Sequence, residues 1–98
     1  MRPKEVRWAV EAKTDLLRLH GFLWKKNPQA ASQAIALVRS AAPILRKMPF
    51  AGKAMDDHSG RRELVRPFGG GAYVLRYRID AAGFVFILRV WHSLENRG

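Results

Sequence analysis

The amino-acid sequence predicts an α+β fold: an antiparallel sheet, in the order β-α-α-β-β-β, with a helical hairpin packed on one face. Two observations carry that prediction. Tyr73–Asp80 and Phe84–His92 alternate residue types at the two-residue period of a strand, on either side of the turn Asp80-Ala81-Ala82-Gly83. Between residues 11 and 45, small and aliphatic residues instead recur at three and four, the helical period. With 98 residues there is room for one domain, residues 1–98, over one core that buries roughly 60–70% of the unfolded surface.

In chain order, Glu5–Val10 sets Val6, Trp8 and Val10 against Glu5, Arg7 and Ala9, a first strand with one buried face. Glu11–Lys26 follows as a helix, with Ala12, Leu16, Leu19, His20 and Leu23 on one stripe. Gly21 costs this helix about 1 kcal/mol relative to alanine, while Lys25 and Lys26 suit the negative end of its dipole. Asn27-Pro28 is a helix start, asparagine capping and proline at the first helical position. The second helix carries Ala31, Ala34, Ile35, Val38, Ala41, Ala42 and Leu45, whose small members permit close approach to its neighbour. Pro43 removes the bond to the carbonyl of Arg39 and kinks or ends it. Met48–Gly60 is rich in turn formers and reads as a loop, including Asp56-Asp57-His58, three adjacent residues that converge poorly on one metal ion. Arg61–Arg66 is a further strand, leading through Pro67 and Gly69-Gly70-Gly71 into the final hairpin. The tail, residues 93–98, reads as polar and frayed.

Within that hairpin, placing Ile79 opposite Phe84 pairs Tyr77 with Phe86, Leu75 with Leu88 and Tyr73 with Val90 on a buried face. The other face then pairs Arg78 with Val85, Arg76 with Ile87 and Val74 with Arg89, and sets Trp91 near Ala72. One side is core and the other is a platform studded with arginine.

The composition, 48% hydrophobic and 27% charged, is that of an ordinary globular domain and excludes a disordered tail. No apolar run nears the ~18 residues of a membrane span. The N-terminus shows no signal-peptide pattern, and without cysteine there is neither a disulfide framework nor a thiolate metal site; a cytoplasmic protein is expected. Eighteen Lys and Arg against eight Asp and Glu give a net charge of +10. That imbalance attracts polyanions: nucleic acid, ribosome or a strongly acidic protein. Arginines outnumber lysines and gather toward the C-terminal part, and guanidinium both binds phosphate bidentately and stacks on aromatic surfaces.

Taken in order, Ala12…Asp15-Leu16, Asn27-Pro28…Ala30-Ala31, Leu45…Met48-Pro49…Gly52, Arg62-Glu63-Leu64, Tyr73-Val-Leu-Arg-Tyr77 and Ile87-Leu-Arg-Val-Trp-His92 resemble the RelE/ParE superfamily of type II toxin–antitoxin modules. The resemblance spans nearly the whole chain, and the long helical hairpin and Pro-x-x-Gly loop are closer to the ParE branch. It implies a toxin that poisons DNA gyrase, or, in the RelE branch, cleaves mRNA on the ribosome. Either way a cognate acidic antitoxin neutralises it in a hetero-oligomer, and no metal or cofactor is called for.

RNA cleavage through the 2′-hydroxyl needs a base, an acid and cations for the phosphorane charge. His92 is the candidate acid, Glu63 or Glu95 the base, and Arg66 and Arg76 lead the phosphate groups. The lysine-rich segment of RelE-type nucleases is reduced here to Lys53. A gyrase poison needs a contact surface instead, for which Arg66, Arg76, Arg78, Arg89, Trp91 and Arg97 are the candidates. A non-catalytic nucleic-acid-binding or inert interaction module is a third reading, although the second helix carries only Arg39, Arg46 and Lys47.

Overall fold

The structure, a computed structural model, describes residues 5–95. Its elements are β1 (Val6–Trp8), α1 (Val10–Lys26), α2 (Pro28–Arg39), α3 (Ala41–Lys47), β2 (Lys53–Ala54), β3 (Arg62–Phe68), β4 (Gly71–Ile79) and β5 (Val85–His92). The sheet runs β1-β5-β4-β3-β2, and the helices cover one of its faces. The expected α+β layering and helical hairpin are therefore present. Among the described residues no helix is long and apolar enough to cross a membrane.

The sheet is mixed rather than wholly antiparallel, because β1 pairs parallel with β5, Val6 opposite Val85 and Trp8 opposite Ile87. Alternation along a strand says which side chains are buried but carries no information about the direction of the neighbour. β1 is also shorter than expected. The Ala9 N–H donates to the Ile87 carbonyl at 2.9 Å, and Val10 already opens α1, where it is exposed instead of buried.

Asn27 caps α2 as its sequence requires, its Oδ1 accepting from the N–H groups of Gln29 and Ala30 at 3.0 and 3.2 Å. Pro43 acts one turn upstream: α2 ends at Arg39, whose carbonyl proline cannot serve, and α3 restarts at Ala41. Gly21 has open space where a side chain would stand, so close packing does not offset its cost. β3 continues through Pro67 to Phe68. Pro67 faces Ala72, whose own N–H and carbonyl both bond Ser93 on the far side of β4. The proline nitrogen accordingly turns away from β4, toward an edge that the two-residue β2 does not reach. The same Ser93 contacts order the first residues of the tail, where the Glu95 N–H bonds the His92 carbonyl at 2.9 Å.

The core lies between sheet and helices. Tyr73, Leu75, Tyr77, Val85, Ile87 and Val90 meet Ala12, Leu19, Ala34, Val38, Ala41 and Leu45, all buried. The expected β4 face is correct; the β5 register is not. The turn has three residues, Ala81-Ala82-Gly83, closed by the Asp80 N–H to the Phe84 carbonyl at 2.9 Å. Gly83 takes φ +92°, the left-handed residue that completes such a loop. Ile79 therefore faces Val85, and Tyr77 faces Ile87. A bulge between Arg76 and Tyr77 shifts the register once more, so Leu75 meets Val90 and Tyr73 meets His92. Phe84 and Phe86, expected in the core, go to the opposite face, and Val85 and Ile87 replace them.

Tyr77 ties the sheet to the loop after α3. Its buried hydroxyl donates to the Pro49 carbonyl at 2.7 Å and accepts from the Gly52 N–H at 2.9 Å. A Cβ at Gly52 would stand 2.7 Å from the Glu63 carbonyl oxygen and from the Tyr77 ring, which explains the glycine. Arg62, opposite Tyr77, donates to the Gly52 and Phe50 carbonyls at 2.9 and 3.3 Å. Tyr77→Phe, which leaves the buried Pro49 carbonyl and Gly52 N–H without this partner, is expected to lower unfolding free energy by about 1–3 kcal/mol, read as a lower urea midpoint at unchanged m-value.

Candidate functional site

Two surfaces meet the requirements of a site. The first is the face of the sheet that the helices leave open. Cross-strand pairing arranges it in three rows: Arg7, Phe86 and Arg78; then Arg89, Arg76 and Glu63; then Trp91, Val74 and Val65. Guanidinium groups lie over aromatic rings throughout. Arg7 stands 4.2 Å from the Phe84 ring centre, Arg78 4.9 Å from that of Phe86 and Arg76 4.9 Å from that of Trp91. Arg76 also donates from Nε and Nη2 to Glu63 Oε2 at 3.0 and 2.8 Å, and Arg7 pairs with Glu5. No carboxylate among the described residues pairs with Arg78, which is exposed.

Arg89 belongs to this face by register but reaches round the edge of β5 to α1. Its Nε and Nη2 donate to Asp15 Oδ2 and Oδ1 at 2.9 and 3.1 Å, and Asp15 Oδ2 also accepts the Val90 N–H at 2.8 Å. Asp15 is 3% exposed, the one buried charged residue of the described chain. Burial pushes its carboxyl up, but the Arg89 and Val90 hydrogen bonds, with the charges of Arg89 and Arg18, outweigh that and hold it below the usual carboxylate range. Sequence reasoning noted Asp15 only as part of a family pattern. Its signal was a lone carboxylate on the apolar stripe of α1, one turn after Ala12 and one before Leu19.

The second surface is a groove of about 640 Å³ between α1 and the C-terminal end of β5, floored by Leu19, Leu23, Phe68 and Tyr73 and rimmed by His92 and Glu95. His92 packs edge-on to Tyr73 with ring centres 5.0 Å apart. Its Nδ1 accepts the Leu94 N–H at 3.2 Å, which leaves the ring proton on Nε2, and its own N–H donates to Glu95 Oε1 at 2.8 Å. The other oxygen of Glu95 pairs with Arg18. Burial, with the nearby Glu95 charge, pushes the Tyr73 phenol up.

The candidate nuclease residues are thus divided. Arg76 and Glu63 form an ion pair on the open face, whereas His92 and Arg66, both opposite Tyr73, lie on the helix face together with the alternative base Glu95, whose oxygens are taken by the His92 N–H and Arg18. Arg66 donates to Ser40 Oγ at 3.2 Å, and its Nε is buried without a partner. Of the candidate contact surface, Arg76, Arg78, Arg89 and Trp91 share one face; Arg66 is removed from it because β3 sets residues 62, 64, 66 and 68 toward the helices. Arg97 lies outside the described residues. Asp57 bonds Ser59 and Arg61 within its loop. Among the described residues no group of three or more His, Asp or Glu is placed to hold a metal ion.

The family described as ParE toxin of type II toxin-antitoxin system, parDE, matches residues 6–97. Toxin RelE1 of Caulobacter vibrioides is 37% identical over 89 residues, 91% of this chain and 92% of that protein. Toxin RelE3 of the same organism is 38% identical over 96 residues, 96% and 99% of the two. Among solved structures, the chromosomal ParDE TA system from P. aeruginosa superposes with a TM-score of 0.72 at 18% identity, covering 90% of this chain and 94% of that one, a likeness of fold.

Asp15→Asn is expected to lower stability at pH 7 by about 2–4 kcal/mol, through loss of the charge and of one acceptor in a buried network. A carboxyl held below its unfolded value stabilises the fold above that value, about 3.9, and the contribution disappears as pH falls through the lower folded value. Urea unfolding from pH 7 to 3 should therefore show the gap between wild type and Asp15→Asn narrowing below about pH 4.

Proposed function

The chain belongs to the ParE toxin family of type II toxin–antitoxin systems, within the RelE/ParE superfamily, and from that premise we propose that it arrests growth by binding DNA gyrase and trapping it on cleaved DNA. A cognate acidic antitoxin neutralises it in a hetero-oligomer. The observation that supports the gyrase reading most is that each candidate base is already engaged and only one of them stands on the side of His92. Arg76 and Glu63 are bound to each other on one face of the sheet, while His92 and Arg66 are on the other. General acid and base must reach the same phosphodiester; a sheet stands between His92 and Glu63, and Glu95, beside His92, has its two oxygens on the His92 N–H and on Arg18. A poison that acts by contact has no such requirement: a rigid face presenting arginine and tryptophan suffices.

The antitoxin fits the other side of the molecule. The groove beside α1 is apolar along its floor, and Phe22 and Leu94 extend it as exposed hydrophobic residues, 60% and 77% accessible. Lys25 and Lys26 stand at the end of the same helix. An acidic segment that folds on contact would bury the apolar floor and meet these charges.

The RelE names of the two Caulobacter relatives favour a second reading, ribosome-dependent cleavage of mRNA. Purified protein incubated with gyrase, ATP and relaxed plasmid separates the two. Loss of supercoiling with accumulation of cleaved plasmid is the expected result; Arg78→Ala should weaken it several-fold, and His92→Gln, confirmed folded, should leave it within about twofold, since a single contact residue at a hot spot is worth 1–2 kcal/mol or more. Unchanged supercoiling with gyrase from the same source, together with mRNA cut on ribosomes, would replace the gyrase reading with the nuclease one.

A further inference from the structure

We propose that the outward wall of α1, distinct from both the open sheet face and the groove, is a self-association surface on which two copies of this chain pair as antiparallel helices. At 3.6 residues per turn, Val10, Thr14, Leu17, Gly21 and Trp24 fall within about 80° of one another on that wall. Their spacing alternates four and three, the spacing by which one helix packs along another. The core takes Ala12 and Leu19 from the opposite wall. Among the described residues nothing covers the stripe: Val10 is 74%, Leu17 76% and Trp24 52% exposed. Two of its details have no use within the chain. Gly21 weakens the middle of a helix, yet open space stands where its side chain would be; on a contact stripe, a glycine lets a second backbone come close. Thr14 Oγ1 donates back to the Val10 carbonyl at 3.1 Å, so covering Thr14 with a neighbour leaves no hydroxyl unpaired.

The stripe is its own complement when the neighbour runs the other way. Leu17 lies midway between Val10 and Trp24. A twofold axis through it therefore sets Leu17 against Leu17 of the second copy, Val10 against Trp24, and Thr14 against the gap at Gly21. Charge follows the same symmetry. Glu11 in the first turn and Lys25 in the last flank the stripe on one side. The antiparallel arrangement brings them within about 3 Å of the same level along the axis, and it does so twice. It also sets the positive N-terminus of each helix beside the negative C-terminus of the other. A parallel neighbour would set Lys25 beside Lys25, and an acidic helix of another protein would face Glu11 with like charge. Contact of this isologous kind closes at two copies. A pair of 17-residue helices, about 26 Å long, gives an interface below about 1,200 Å², and two chains of charge +10 repel. The dimer is therefore weak, and salt that screens the repulsion strengthens it.

Sedimentation velocity of the purified chain, from micromolar to near-millimolar concentration and at low and high salt, tests the pairing. The expected result is a monomer–dimer equilibrium that moves toward dimer with concentration and with salt. Leu17→Glu sets two carboxylates on the twofold axis and should weaken the dimer about tenfold or more, the loss of a central contact. Leu94→Glu, the same change at an equally exposed leucine away from α1, should weaken it less than about twofold, as a position outside the contact does. Orientation is read by disulfide trapping in air, since the chain has no cysteine of its own. Leu17→Cys should cross-link readily to its copy, and Trp24→Cys, which meets Val10, should not. A chain that stays monomeric throughout overturns the pairing; if Leu17→Glu then also weakens the complex with the cognate antitoxin, the stripe belongs to the antitoxin. Equal losses in Leu17→Glu and Leu94→Glu overturn it in favour of unspecific apolar association. Equal cross-linking of Leu17→Cys and Trp24→Cys overturns the antiparallel arrangement.

Discussion

The Asp15 carboxylate joins the helical layer to the sheet at the point where the sheet would otherwise fail. β5 is flanked by β1 only as far as Ile87, because the chain leaves β1 at Ala9 to begin α1. Beyond that point the outer edge of β5 would present bare backbone groups. Asp15 takes the Val90 N–H, and Arg18 donates to the Val90 carbonyl at 3.4 Å. One turn of helix thus completes an edge that a strand leaves open, which is how exposed edges are kept from pairing with other chains. The same carboxylate orients Arg89, so the helix face and the open face are coupled through a single buried charge. Arg89, 40% exposed along its side chain, is at once a surface residue and half of an interlayer tie.

A second constraint acts along β5. The three-residue turn moves the pairing one position from the simplest expectation, and the bulge between Arg76 and Tyr77 moves it one further. Each shift would expose the wrong side chains if the strand stayed regular. Together they let Val85 and Ile87 enter the core before the bulge and Val90 after it, while keeping both Arg76 and Arg89 outside. Bulges are used this way, to re-aim side chains where a strict alternation would bury the wrong group. The shift at the turn also gives the open face its aromatic character, since Phe84 and Phe86 are displaced onto it and each meets an arginine.

The two faces divide the chemistry. On the helix side the histidine and tyrosine rings, the apolar groove and the Arg18–Glu95 pair make a surface suited to a folding peptide. On the open side, guanidinium groups held over rings make a surface suited to a polyanion. Glu63 serves the second by orientation rather than neutralisation, since it occupies only two donors of Arg76.

Much of this was legible from residues alone. The Asn27-Pro28 start, the alanine stripe, the break before Pro43, the buried face of β4 and the shared face of Arg76, Arg78, Arg89 and Trp91 all follow from local rules: capping, period and steric exclusion act within a few residues of their cause. The family pattern was legible too, because its pieces keep order and spacing. What only the tertiary structure decided depends on partners distant in sequence. The direction of β1, the two offsets of β5, the transfer of Arg66 to the helix face and the role of Asp15 are each set by a neighbour dozens of residues away. Alternation is blind to a one-residue bulge, since both registers look equally apolar here, with Phe84 and Phe86 as credible in a core as Val85 and Ile87. A lone aspartate on an apolar stripe has no local meaning until the strand edge it completes is beside it.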